Sequence, residues 1–386
     1  MKKIFIFLFI IALIFPSCVL AKKSVDETDE INIMKNARSA ILMEPSTGKI
    51  IYNKDANKPT SVASLTKMMG LIIAFETIEK GALSYDEIIT VSQNAKEMGG
   101  TQIYLDTGEK ISVDDLLKGI VMASANDAMV ALAERIAGTE EAFVNLMNKK
   151  AQEMGLKNTN FKNCTGFDEE GHFSTAYDMA LVAAELLKHE DVLKYSNTYE
   201  DYIRQNTDNK TWIVNTNKLV RFYDYVDGLK TGYTDDDGSC IVATAKKDNL
   251  RLIAIGLGYS NKNTRNQETI SLLDYGFNQY EASILYKKGD IIGHSKVEKA
   301  KEEINLVLSE DIIILNKRTE ERESYYYEIE MDNINLPIKK GDKVATLNIK
   351  KGNEIVKKVT LVAEKDIDKQ SFISMYFSNL KTILFG

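Results

Sequence analysis

The chain has 386 residues, 44% of them hydrophobic and 27% charged, with 49 Lys and Arg against 56 Asp and Glu, a formal −7. That length suits two or three domains with a large core, and the acidic balance offers no global attraction to nucleic acid. Three His and three Cys, with no C-x-x-C and no H-E-x-x-H, supply neither a zinc-site spacing nor a disulfide framework.

Lys2 and Lys3 precede an apolar run over residues 4–15, followed by Pro16, Ser17 and small residues up to Ala21. A basic start, a short apolar run and small side chains before a cut after Ala21 predict a signal peptide over 1–21. The run is too short to span ~30 Å of hydrocarbon. An uncleaved anchor is the alternative; a lipoprotein cut before Cys18 is disfavoured by Phe15-Pro16-Ser17. Processing removes two lysines and Cys18, leaving 47 basic against 56 acidic residues, or −9. Cys164 and Cys240 remain, either paired in an oxidising compartment or as two separate buried thiols.

The mature chain divides into zones, giving expected boundaries of 22–282 for a first domain, 283–364 for a small β domain and 365–386 for a terminal helix. In the first zone, residues 39–43 and 49–52 flank the turn-rich Glu44-Pro45-Ser46-Thr47-Gly48 and predict a hairpin. Residues 64–80 read as a helix apolar almost all round, hence buried, ended by Gly81. Ser112 begins a second helix through about Met122, and another runs over 127–136. Two buried strands are expected at 238–245 and 250–257, then a helix over 265–277.

From about 283 to 362 the pattern turns to short strands, with Tyr325, Tyr327, Ile329 and Met331 on one parity. Charge clusters such as Lys299-Ala300-Lys301-Glu302-Glu303 read as solvated faces. In the final stretch, Phe372, Tyr376, Leu380 and Leu384 recur every four residues, widened by Ile373 and Phe377. This predicts an amphipathic helix lying in a membrane interface, the alternative being a helix docked on its own domain.

Three short motifs carry the chemistry. Ser64-Leu65-Thr66-Lys67 places a hydroxyl and an ammonium three residues apart on one helix face. Desolvation by an apolar helix turns such a lysine into a base for the serine, and the helix start aims N–H groups at developing negative charge. Ser124-Ala125-Asn126 follows in a break between helices: a second hydroxyl to relay a proton and an amide to position groups, or simply a helix cap. Lys230-Thr231-Gly232 enters the strand pair, where a Lys and a hydroxyl can grip a carboxylate and Gly leaves room for an extended substrate. Read alone, it is equally a polar strand start.

S-x-x-K, S-x-N and K-T-G in this order resemble the signature of penicillin-binding proteins and class A β-lactamases. Met154-Gly155-Leu156-Lys157-Asn158-Thr159, Ser174-Thr175-Ala176-Tyr177-Asp178 and Asn215-Thr216-Asn217-Lys218-Leu219 narrow the resemblance to low-molecular-mass penicillin-binding proteins, the serine D-alanyl-D-alanine carboxypeptidases of peptidase family S11. The resemblance implies an α/β (α+β) fold: a transpeptidase-like domain with a central antiparallel sheet flanked by helices, a small C-terminal all-β domain and a terminal amphipathic helix. It implies removal of the terminal D-alanine from peptidoglycan pentapeptides, without a cofactor or metal, and inhibition by β-lactams. It implies an exported enzyme held at the outer face of the cytoplasmic membrane. Ser64 would be the acylated nucleophile, Lys67 its base, and Ser124 and Asn126 the relay and positioning pair. Lys230, Thr231 and Arg265 would hold the substrate carboxylate beside Gly232, and the N–H groups of Ser64 and Tyr233 would form the oxyanion hole. Cys164, in Asn163-Cys164-Thr165-Gly166, stands where many relatives have proline.

Other readings are weaker. A class A β-lactamase carries S-D-N, but Ala125 is the middle residue here. Its deacylating E-x-x-x-N is matched nearby only by Glu141 to Asn145, which reads as a helix face. D,D-endopeptidase action on cross-links stays open. A histidine-triad hydrolase lacks its G-x-S-x-G, and a catalytically dead wall-binding protein would be expected to have lost Ser64 or Lys67.

Overall fold

The computed structural model describes residues 32–205, 207–235, 238–320 and 324–370. The expected signal peptide and the apolar stripe of the final stretch lie outside these residues. A five-stranded antiparallel sheet organises the larger domain: β1 (Ser39–Glu44), β2 (Lys49–Lys54), β3 (Val226–Thr234), β4 (Gly238–Lys247) and β5 (Leu250–Tyr259). Their order is β2-β1-β5-β4-β3, so β3 is an edge. Both faces of β1, β4 and β5 are covered, which is why these three read as near-continuous apolar runs. Ile41, Met43, Val242, Ile253 and Ile255 face the main helical layer, whereas Leu42, Ile241, Ala243, Leu252 and Ala254 face a second, smaller core.

Four helices build the main layer: α1 (Lys67–Glu79), α2 (Asn126–Ala137), α3 (Glu140–Glu153) and α4 (Ala176–Leu186). Every residue of α1 from Lys67 to Phe75 is buried, as its all-round apolarity predicts. The helix starts three residues later than expected, because Ala63–Thr66 forms a 3₁₀ turn that carries Ser64. The helix expected from Ser112 to Met122 also changes pitch. Ser112 caps Val113–Lys118 by accepting from the Asp115 amide at 3.1 Å, and Gly119–Ala123 then widens into a π turn ending at Ser124. On the other sheet face, α5 (Lys262–Gln279) begins three residues earlier than expected, because the Asn261 side chain accepts from the Asn263 and Thr264 amides.

The strand Tyr280–Tyr286, paired with Ile312–Lys317, runs across the expected boundary at 282/283. A second five-stranded sheet follows, with Tyr326–Met331 at one edge. The single parity of Tyr327, Ile329 and Met331 marks a strand but not a buried face. Tyr327 is 54% and Met331 39% exposed, because an edge strand has a neighbour on one side only. Lys299, Lys301, Glu302 and Glu303 are exposed, as expected of a solvated cluster. Past the sheet, Ile367 bridges Ile338 and Lys369 bridges Ala300, so the first residues of the expected terminal helix are extended chain paired to this domain. Cys164 and Cys240 are separate buried thiols.

Candidate active site

Ser64 lies half-buried on the 3₁₀ turn, and Lys67 is the first residue of α1. In a 3₁₀ turn residues i and i+3 eclipse, so the side chains meet: Lys67 Nζ is 2.9 Å from Ser64 Oγ. Lys67 Nζ also donates to the Thr165 carbonyl at 2.6 Å. The lysine is wholly buried, and desolvation of its ammonium lowers its pKa to about 7, against weak opposition from Cys164 and Asp127. Near neutrality a large fraction of the amine is therefore free, with a lone pair that can accept the serine proton.

The turn that carries Thr165 is tightly built. Asn163 Oδ1 accepts from the Gly166 and Phe167 amides at 2.8 and 3.1 Å. Gly166 has φ +87° and lies so close to the nucleophile turn that a Cβ would sit 2.0 Å from the Ala63 carbonyl oxygen. Only glycine fits. Ser61 Oγ donates to Asp168 at 2.7 Å, tying the same loop to the chain just before Ser64. Below the turn, the Lys162 amide donates to His172 Nδ1, so the ring proton sits on Nε2 and points to Thr66 Oγ1 at 2.8 Å. Burial lowers the His172 pKa to about 4, which keeps this support neutral.

The second motif forms the second wall, next to Asp127, whose charge reaches Lys67. Ser124 ends the π turn in the left-handed conformation, φ 65° and ψ 29°, a backbone state that non-glycine residues seldom adopt. Asn126 opens α2, its amide Nδ2 donating to the Gly99 carbonyl at 2.8 Å while its buried Oδ1 has no partner among the described residues. Asp127, next in line, accepts from the Ile103 and Leu105 amides at 3.1 and 3.0 Å and so fixes the loop that wraps Asn126. Lys67 Nζ makes no hydrogen bond to Ser124 or Asn126 among the described residues.

The third wall is the edge strand β3. Lys230 is buried beside Lys67, and desolvation, with the Lys67 charge second, holds its pKa well below the ordinary lysine value. Its Nζ donates to the Thr231 carbonyl at 3.1 Å. A Cβ on Gly232 would lie 2.9 Å from Ala63 Cβ and 3.2 Å from the Ser64 backbone nitrogen, so this glycine lets strand and nucleophile turn meet. Tyr233, 57% exposed, hydrogen-bonds Asp235 at 3.0 Å.

Arg265 stands apart from that group. It belongs to α5 on the other sheet face, donating to Ser239 Oγ at 2.8 Å and to the Cys240 carbonyl at 3.2 Å. Register pairs Cys240 with Gly232 and Ser239 with Tyr233, so Arg265 reaches the sheet behind the strand that carries the third motif. Burial lowers its pKa to about 10, and it stays charged.

Residues 24–261, which contain all three motifs, match the family model described as D-alanyl-D-alanine carboxypeptidase, peptidase S11. The chain belongs to this family. Residues 280–369 of this S11 chain match the C-terminal domain of penicillin-binding protein 5. It is 47% identical over 367 residues to the D-alanyl-D-alanine carboxypeptidase DacF of Bacillus subtilis, across 95% of this chain and 94% of that protein. The structure of penicillin-binding protein 5 from Haemophilus influenzae is similar with a TM-score of 0.67 and 28% identity, over 86% of this chain and 98% of that one. Penicillin-binding protein D2 from Listeria monocytogenes, solved with ampicillin bound, matches 63% of this chain and 98% of its own at a TM-score of 0.57 and 30% identity.

The motif residues of this S11 chain were legible in the sequence, but much of what holds them was not. The Thr165 carbonyl is a backbone group and carries no side-chain signature. His172 reads as an ordinary polar residue until its partner on the nucleophile turn is known. Asp127 carried a faint signal, as a carboxylate in the first turn of a helix.

Proposed function

We propose that this chain removes the terminal D-alanine from peptides ending in D-Ala-D-Ala, through an acyl-Ser64 intermediate, during maturation of peptidoglycan. The observation that carries the reading is the 2.9 Å approach of the wholly buried Lys67 amine to Ser64 Oγ. Ser64 Oγ attacks the carbonyl carbon between the two D-alanines and its proton passes to Lys67 Nζ. The oxyanion faces the backbone N–H groups of Ser64 and Tyr233. Collapse breaks the C–N bond, and the departing D-alanine amine takes a proton from Lys67 by way of Ser124. A water then attacks the ester carbonyl, its proton taken by Lys67, and Ser64 leaves with a proton restored. Lys230 and Thr231 hold the substrate's terminal carboxylate, with Arg265 adding positive charge from behind the strand. Asn126 orients the substrate backbone through its free Oδ1, and the open edge of β3 pairs with an extended peptide.

The experiment is incubation of the processed protein with a peptide ending in D-Ala-D-Ala; release of free D-alanine is expected, and no release sinks the reading. A β-lactam closes on the same serine by the same attack, so a fluorescent penicillin is expected to label the protein and to leave Ser64→Ala unlabelled. We further propose export and retention at the outer face of the membrane through the apolar stripe of residues 371–386. Deletion of those residues is expected to move the processed protein into the soluble fraction; an unchanged distribution argues for a docked tail.

A further inference from the structure

The carbonyl that orients Lys67 is held from outside its own turn by a carboxylate that none of the three motifs contains. Glu140 is the first residue of α3, where the helix dipole favours a negative charge. Its Oε1 accepts the Cys164 amide at 3.1 Å and the Cys164 thiol at 3.3 Å. The next residue, Thr165, turns its carbonyl to Lys67 Nζ. Within the turn, Asn163 holds the Gly166 amide, which belongs to the same peptide unit as the Thr165 carbonyl. One grip acts on that peptide from the turn itself, and the other acts on the residue before it from a helix.

We propose that Glu140 is a positioning residue for the general base: by gripping Cys164 twice it fixes the Thr165 carbonyl, which directs the Lys67 lone pair at Ser64 and keeps water from the amine. The inference rests on the acyl-serine reading above. The groups facing Lys67 are Cys164 from the turn, Asp127 from the start of α2 and Lys230 from β3. Glu140 faces Cys164 rather than the lysine, so its influence travels through backbone geometry. Relaxing the turn lets the amine rotate and hydrate. Both changes slow proton removal from Ser64, and hydration returns the lysine toward its ordinary, more basic range.

The test measures the second-order rate of acylation by a fluorescent penicillin against pH, in the processed full-length protein and two variants. Wild type is expected to rise in rate through about pH 7, the pKa of Lys67. Glu140→Ala is expected to acylate about tenfold more slowly at pH 7, with its rise displaced to higher pH. Glu140→Gln keeps an oxygen acceptor for both Cys164 donors and is expected to recover most of the rate and the original midpoint. Glu140→Ala with a wild-type rate and midpoint overturns the proposal. So does a lowered melting temperature with an unmoved pH profile, or a glutamine variant as impaired as the alanine one. Should Glu140→Ala fail to fold, Cys164→Ala removes only the thiol grip, and a two- to threefold loss with the same direction of shift is expected; no loss overturns the proposal. A wild-type protein that takes no penicillin label removes the acyl-serine reading, and the clamp falls with it.

Discussion

The two domains treat polar side chains in opposite ways. The catalytic domain buries Lys67, Asp127, His172, Arg204, Lys230 and Arg265, whereas the buried polar or charged residue of the smaller β domain is Asn348 alone among those described. In the β domain the pair of Lys301 with Asp368 at 2.9 Å lies with both partners more than half exposed. Burying a charge costs several kcal/mol unless it is paired or neutralised, so Lys67 and Lys230, buried without a carboxylate partner among the described residues, mark where stability is traded for chemistry. The β domain shows how the same chain folds when no reaction is asked of it.

Replacing Lys67 sharpens that contrast most. Lys67→Ala is expected to lower penicillin acylation about 10³-fold at pH 7, the size of a lost general base. A loss of only a few-fold points to another base. The same substitution reports on stability. Lys67 keeps its proton to about pH 10.5 in the unfolded chain but loses it near 7 when folded. Between those values the unfolded state binds more protons, so stability from this group rises with pH across the window, and its penalty is full below about 7. Lys230 acts with the same sign. Lys67→Ala is therefore expected to flatten the rise of unfolding free energy above pH 7 in denaturant titrations; an unchanged slope means that the folded lysine stays charged.

Two asparagines give a matched comparison. Asn126 and Asn348 are each 5% exposed, and each has a buried Oδ1 without a partner among the described residues. Asn126→Leu is expected to cut D-alanine release about 100-fold while moving the melting temperature little, because loss of the bond to the Gly99 carbonyl offsets removal of an unsatisfied polar atom. Asn348→Leu is expected to leave turnover untouched and stability equal or improved. Equal turnover effects from the two substitutions break the distinction between the domains. The smallest change expected is Lys301→Ala, which removes an exposed pair and moves the unfolding midpoint by no more than about 2 °C.

Legibility in the sequence follows the same division. The buried helix α1, the three motifs and the paired strands β4 and β5 were readable because each rests on local periodicity or spacing. The π turn before Ser124 was not, since residues 119–123 are as apolar as an ordinary helix. Glu140 was not, because its partner Cys164 lies in a different element. In the β domain, the parity of Tyr327 and Met331 located a strand without revealing that it is an edge. Arg265 was legible as a residue, but its position behind β3 required the sheet.

The bridges at Ile367 and Lys369 have a mechanical consequence. The extended chain is pinned at Ile338 on one side and Ala300 on the other, with Lys339–Asp366 and Lys301–Asp368 contacts alongside. On the proposed anchoring of residues 371–386, tension at the tail would enter the β domain at these two bridges before it reached the strand at Tyr280 and the catalytic domain beyond.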